Sequence, residues 1–353
     1  MLFIKAVLLI CLILLQGCAT LAESRINHAL DKQYQQRVEG ADHTLADLDF
    51  LTDSFCLPQK PLCTGYLRAE PIFIKGDPAA EQLAVKRYSR TDFSLNVTSP
   101  RREKVRLALN PPARRFKGSW VLLHGFSGDK TVMAFNAFAL RSLGFQVVVP
   151  DLQGHGDATG PAVVDGKLDA QIISQLLDHL LAEQRIAGPV YLLGHSLGAN
   201  IAAHISAWRQ DIAGQVLIAP MHDFSSGLQN YIAQTHSLYY RVLGGPQLRQ
   251  IADAALKQRN ISPGDTAIAP VLARSDTPSL LIASEQDPLA PAHYFYELQR
   301  QNLRLYLPEG RTHIGLGMFN NDEWQLLQDW LLNKQPELVD LRIGANEMPD
   351  SAQ

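Results

Sequence analysis

The chain has 353 residues, 46% of them hydrophobic and 19% charged, the balance of a globular protein with length for one large core or two smaller ones. A formal net charge of −3 gives no polybasic surface, which argues against nucleic acid as a partner.

The first residues stand apart from the rest. Lys5 precedes an apolar stretch from Ala6 to Leu15 that is too short to span a bilayer and reads as a secretory hydrophobic region. It ends in Leu15-Gln16-Gly17-Cys18, which resembles a bacterial lipoprotein signal. The resemblance implies that residues 1–17 are removed and that Cys18 is lipidated. The chain would then be anchored to a membrane of the bacterial cell envelope, facing the periplasm, and Ala19 in place of an aspartate leans towards the outer membrane. Cys11 leaves with the signal peptide, so Cys56 and Cys63 remain, and two thiols without a competitor in an oxidising compartment are expected to form a disulfide. Two thiols without nearby histidines are too few ligands for a metal site.

Residues 18–69 are polar and weakly patterned and read as a tethered extension with one or two helices. From residue 70 the pattern changes. The runs at 71–77, 83–90, 93–98 and 105–112 are short, alternating and bounded by turn residues, which predicts antiparallel strands. Strand-like and helix-like segments then alternate: strands at 119–126, 145–151, 189–196 and 214–220, helices at 130–144, 167–188 and 197–208. After an interruption come strands at 278–287 and 303–310 and helices at 291–301 and 321–334. Continuous apolar strands alternating with helices predict a mostly parallel sheet covered on both faces, with residues 70–220 and 278–353 as the core. The interruption, residues 221–277, carries Phe224, Tyr231, Leu238, Tyr239 and Tyr240 between two core strands and reads as an insertion.

The stretch Gly194-His195-Ser196-Leu197-Gly198 joins a buried strand to a helix of small residues. A sharp turn at that junction needs small neighbours two positions either side, and it lifts the Ser196 hydroxyl above the sheet edge. A serine hydroxyl is a weak nucleophile until a base takes its proton, and the base needs a carboxylate to orient it. Asp287, at the end of the strand Leu280–Ala283 region and before Pro288, is the favoured carboxylate, with Glu285 and Asp223 as alternatives. His313 is the favoured base, because of the 11 histidines it alone follows that acid on a late strand-to-helix loop. Backbone donors for an oxyanion are expected from Leu197 and from Phe126 in Leu122-Leu123-His124-Gly125-Phe126-Ser127-Gly128.

These stretches, with Asp151-Leu152-Gln153-Gly154-His155-Gly156, resemble the α/β-hydrolase superfamily, near the branch of monoacylglycerol lipases, lysophospholipases and serine aminopeptidase-type hydrolases. Gln153 and Ala158 depart from that branch, which usually has arginine and serine there. The resemblance implies an α/β-hydrolase fold with a lid insertion after strand 6, a Ser196–His313–Asp287 triad, an acyl-ester or lipid substrate and no cofactor. An aminopeptidase or amidase on the same scaffold, and a non-catalytic binding lipoprotein, are the other readings. His124 and His155 are expected to be structural.

Overall fold

The computed structural model describes residues 19–34, 45, 48–72, 91–97, 102–109 and 116–334. The expected signal peptide, Cys18 and the strands expected at 83–90 and over most of 71–77 lie outside the described residues. A first helix, α1, spans 19–31. An antiparallel hairpin follows, β1 (Leu51–Cys56) and β2 (Cys63–Ala69), with Cys56 and Cys63 opposite each other in register and joined by a disulfide. A second antiparallel pair, β3 (Thr91–Val97) and β4 (Glu103–Leu109), forms its own two-stranded sheet.

Strands and helices then alternate as expected: β5 (Ser119–Leu123), α2 (Ala134–Ser142), β6 (Gln146–Pro150), α3 (Lys167–Ala182), β7 (Val190–His195), α4 (Leu197–Trp208) and β8 (Ile212–Ile218). The insertion contributes α5 (Phe224–Thr235), α6 (Ser237–Leu243), α7 (Gly245–Gln258) and α8 (Ala269–Leu272). Last come β9 (Ser279–Ile282), β10 (Leu303–Tyr306), α9 (His313–Leu316) and α10 (Asn321–Leu332). Where a helix was expected over 291–301, Ala292–Leu298 forms a 3₁₀ stretch. It opens after Pro291 and carries Tyr294, Phe295 and Tyr296 in succession, and aromatic side chains lose rotamer freedom in an α-helix.

The main sheet runs β1-β2-β6-β5-β7-β8-β9-β10, parallel from β6 to β10 and antiparallel across β1, β2 and β6. Two of its strands therefore come from the stretch read as an extension outside the core. β1 shows five of its six side chains to solvent, so it has no apolar alternation to announce it. The central strands are buried on both faces, which explains their unbroken apolar runs. Trp120, Leu122, Tyr191, Leu193 and Val216 face α2 and α10, while Val121, Leu123, Leu192 and Leu217 face α3 and α4. The period-2 alternation of a strand separates these two sets.

The insertion is tied to α4 at two points. The Asn200 side-chain amide donates to the carbonyls of Met221 (2.9 Å) and Thr266 (3.3 Å). α1 packs on the insertion: Ile26 and Leu30 meet Phe224, Ala252 and Leu256, and Ala22 meets Ile232, Leu243 and Leu248. Among the described residues no helix is long and apolar enough to cross a membrane.

One buried charge cluster holds the loops after β5 and β6 together. Asp151 is fully buried and accepts from the Lys130 ammonium at 2.6 Å, which also reaches Asp157 at 2.7 Å. The Lys130 and Asp157 amides each donate to the Asp151 carboxylate at 2.8 Å. Removing one partner from such a pair leaves a buried charge uncompensated. Lys130→Met should therefore cost about 3–5 kcal/mol in denaturant unfolding. Unfolding of the variant within about 1 kcal/mol of the parent would mean that the pair does not set the stability of these loops.

Candidate active site

Ser196 sits at the turn from β7 to α4 with φ 54 and ψ −118, a left-handed conformation that a residue with a Cβ adopts at a cost. The surroundings hold it there. The Ser196 amide donates to the Ile218 carbonyl at 2.9 Å. A Cβ on Gly194 would run into the Gly198 backbone, and one on Gly198 into the Leu123 and His124 carbonyls. The glycines two positions either side of the serine are thus required by packing of backbone on backbone, as the sequence pattern suggested. Gly125 brings the loop after β5 up to this turn: a Cβ there would stand 3.3 Å from that of Ser196.

That loop is oriented by its carbonyls. The Gly125 carbonyl accepts from His124 Nδ1 (2.8 Å) and from the Gly128 amide (3.1 Å). A trans peptide is planar, so the Phe126 N–H in the same unit points the opposite way. Among the described residues neither the Phe126 amide nor the Leu197 amide has a hydrogen-bond partner. His124 Nε2 accepts from Leu152 N at 3.0 Å, and His155 Nε2 accepts from Ser127 N at 3.0 Å. Both rings are structural, as expected, and both are neutral with the proton on Nδ1. Burial pushes the His124 ring down, and burial with the nearby His124 pushes His155 down to about 4.

Asp287 is fully buried in the turn after β9. Its Oδ1 accepts from the Leu289 (2.8 Å) and Ala290 (3.1 Å) amides, and its Oδ2 lies 2.7 Å from His313 Nδ1. Burial drives the carboxyl's pKa up, but the His313 ring and the two amides outweigh it, leaving the pKa below its ordinary value. The two alternative acids are engaged elsewhere. Glu285 is exposed and accepts from the Tyr296 hydroxyl, while Asp223 caps α5 through Ser226 N (2.7 Å) and pairs with His222 (2.7 Å).

His313 opens the four-residue helix α9, and both ends of that helix are clamped. Thr312 caps it, and the Thr312 amide and hydroxyl donate to Glu103 Oε2 at 2.8 and 2.6 Å. Arg311 pairs with Glu103 (2.7 Å) and Glu323 (2.8 Å) and donates to the carbonyls of Gly315 (2.7 Å) and Met318 (2.6 Å). His195, next to Ser196, donates from Nε2 to the His313 carbonyl at 2.9 Å, and the two rings stand 5.0 Å apart. The serine turn and the histidine helix therefore lie against each other. Burial and the His313 ring push His195 down to about 3, so it stays neutral.

Sequence reasoning missed Glu103, Arg311 and His195. Arg311 and Glu323 lie in polar stretches of sequence, so nothing local marked them as a buried pair. Glu103 gave no such signal, because it reaches the site across 208 positions. Among the described residues no group of three or more histidine, cysteine or acidic side chains could hold a metal ion.

A model of the alpha/beta hydrolase family matches residues 120–327, and the chain belongs to that family. Over 109 residues it is 28% identical to Lipase 1 of Psychrobacter immobilis, a match that covers 31% of this chain and 33% of that one. The similarity thus spans about a third of the curated relative's length. A candidate lipase of Acinetobacter baumannii AYE has the same fold, with a TM-score of 0.54 at 15% identity over 84% of this chain and 95% of that one. A bacterial membrane phospholipase A shares it too, with a TM-score of 0.50 at 16% identity, covering 95% of this chain and 99% of that one.

Two outcomes follow from the site's charges. Glu103→Ala leaves the buried Arg311 with one carboxylate instead of two, and should lower unfolding stability by about 2–4 kcal/mol; an unchanged denaturation midpoint would show that Glu103 does not hold the α9 loop. The second outcome concerns pH. His155 and His204 are held at about 4 and His195 at about 3, each below the ordinary 6.5. Between those values the unfolded chain binds protons that the folded protein refuses, so stability falls as pH drops from 6.5 towards 4. His155 alone carries about 3 kcal/mol of that loss. Asp169, raised to about 7 by burial, works in the opposite sense, but the histidines outnumber it. The melting temperature should be clearly lower at about pH 4.5 than at about pH 7. A flat profile between them would contradict the neutral-histidine assignment.

Proposed function

We propose that the protein is a serine hydrolase of carboxylic esters, acting on an acyl-ester or lipid substrate through an acyl-enzyme intermediate. The observation that carries this reading is the 2.7 Å hydrogen bond from His313 to the buried Asp287, on a helix braced against the Ser196 turn. With Nδ1 donating to Asp287, the other ring nitrogen is the acceptor. It takes the Ser196 proton as the hydroxyl oxygen attacks the ester carbonyl. The free Phe126 and Leu197 amides receive the oxyanion, an interaction worth about 3 kcal/mol per donor. The imidazolium returns its proton to the departing alcohol. A water deprotonated by His313 then attacks the acyl-enzyme, the bond to the Ser196 oxygen breaks as that oxygen takes the proton back from the imidazolium, and the acid leaves. Asp287, held ionised, steadies the imidazolium throughout. No step calls for a cofactor.

The insertion covers the turn as a lid in this reading. An amidase or aminopeptidase would need a carboxylate there to receive a substrate amine. Of the four insertion aspartates, Asp223, Asp253 and Asp265 are committed to His222 and Ser226, to Ser225 (2.5 Å) and to Lys167 (3.0 Å), and the fourth, Asp276, is exposed. The engagement of three of the four weighs towards an ester. The relatives named lipases and phospholipase point the same way. We place the protein in the bacterial cell envelope, periplasm-facing and held by lipid on Cys18, on the strength of the N-terminal signal; that tether would bring it to lipid substrates.

Ser196→Ala should lower kcat on a short p-nitrophenyl ester by at least about a thousandfold and abolish labelling by a fluorophosphonate probe. A variant that kept parental turnover would remove Ser196 from the mechanism.

A further inference from the structure

Residues 19–34 read as part of a tethered extension in the sequence, yet their end is built into the loop after β6 that carries His155, and the Tyr34 ring packs on Phe126. The Tyr34 amide donates to the Gly154 carbonyl and the Gly156 amide donates to the Tyr34 carbonyl, both at 2.8 Å. These two bonds straddle His155. The Tyr34 ring stacks on the His155 ring (5.2 Å, 17°) and meets the Phe126 ring edge-on (4.9 Å, 65°). His155 and Phe126 in turn meet at 5.4 Å and 82°. Three rings thus pack on one another, and the central imidazole is the acceptor for the Ser127 amide. Ser127 itself has φ 65, a conformation that needs external support. Gln33 adds a bond to the Ala158 carbonyl at 3.0 Å.

The other end of the segment grips the insertion. Arg259, at the C-terminal cap of α7, reaches Asn27 and Asp31, each at 2.6 Å, and Ile26 and Leu30 pack on Phe224, Ala252 and Leu256. One short stretch therefore bonds both to the insertion and to the loop after β6 that packs on Phe126.

We propose that residues 19–34 form a strap belonging to the active site, in which Tyr34 is a positioning residue that holds the Phe126 amide in place through His155 and Phe126. This rests on the serine-hydrolase reading for the meaning of that amide, but the packing it describes does not. Without the Tyr34 ring, one face of His155 and one edge of Phe126 lose their support. The Gly125–Phe126 peptide can then tilt from the position where it meets an oxyanion. Misplacement of this kind, on the scale of an ångström, costs up to about a hundredfold in rate.

The test uses the full chain with Tyr34→Ala, Tyr34→Leu and Tyr34→Phe. Three measurements are made: kcat and KM on a short p-nitrophenyl ester, inhibition by a trifluoromethyl ketone that forms an oxyanion at the serine, and hydrogen–deuterium exchange of residues 124–128. Tyr34→Ala should lower kcat about ten- to a hundredfold with KM within about threefold, weaken the ketone in step with kcat/KM, and speed exchange of the loop. Tyr34→Phe keeps the ring and loses only the hydroxyl bond to the Ala29 carbonyl, so it should recover most of the loss. Tyr34→Leu, which keeps apolar bulk, is read in the same way if the alanine variant does not fold.

Parental kcat, ketone affinity and loop exchange in Tyr34→Ala would overturn the proposal. So would a change in KM alone, which would make Tyr34 a wall of the pocket. A parent chain that turned over no ester, with exchange still accelerated in Tyr34→Ala, would sink the functional reading and leave the strap standing.

Discussion

The whole arrangement hangs on one backbone conformation. At Ser196 the chain leaves β7 and enters α4 through a left-handed φ, which costs about 1–3 kcal/mol for a residue with a side chain. Nothing local offsets that cost. The sheet does, because the Ser196 amide is taken by the Ile218 carbonyl of the neighbouring strand β8. Packing does as well, since Gly194, Gly198 and Gly125 let three stretches of backbone approach within contact of one another. Relaxing the turn to an ordinary conformation would separate the serine from both the histidine helix and the Phe126 loop. The conformation persists because the parallel sheet over-determines it.

Around that turn the side chains come from distant parts of the chain, and each is held from behind. Asp287 is fixed by two amides of its own turn. His313 is fixed through the cap of α9, through Glu103 from the separate β3–β4 sheet, and through His195. This gives the two-stranded sheet a function: it delivers a carboxylate to the far side of the histidine loop. The Phe126 loop is held by its carbonyls, so its amide direction follows from peptide planarity and not from any contact of the amide itself. The preorganisation therefore lies in groups that a substrate would never touch.

How much of this could be read in the sequence depends on the range of the interaction concerned. The alternation of apolar strands with helices gave the parallel sheet, because each strand is buried on both faces and its pattern is local. The sharp turn at Ser196 and the pairing of Asp287 with His313 were legible since each of the three stands at a strand end or strand-to-helix loop, with glycine or proline marking the turn. The β1–β2 hairpin was not legible: β1 lies exposed at the sheet edge, and only the Cys56–Cys63 pair signalled that its two halves meet. Tyr34 and Glu103 were not legible either, because their partners lie roughly 120 and 210 positions away and neither shows a periodic pattern.

The distribution of neutral and charged groups gives a final constraint. His124, His155 and His195 ring the site, the first two spending both ring nitrogens and His195 its Nε2 on backbone groups, and burial keeps them uncharged at neutral pH. In the proposed mechanism His313 must become an imidazolium beside them. A second positive charge on His195, 5.0 Å away, would oppose that step directly. Neutral neighbours avoid the repulsion while still making hydrogen bonds, and among the described residues the carboxylate bonded to the His313 ring is Asp287. The low pKa of the flanking rings and the ionised state of the aspartate are thus two sides of one requirement: the positive charge that forms during turnover has a single place to reside.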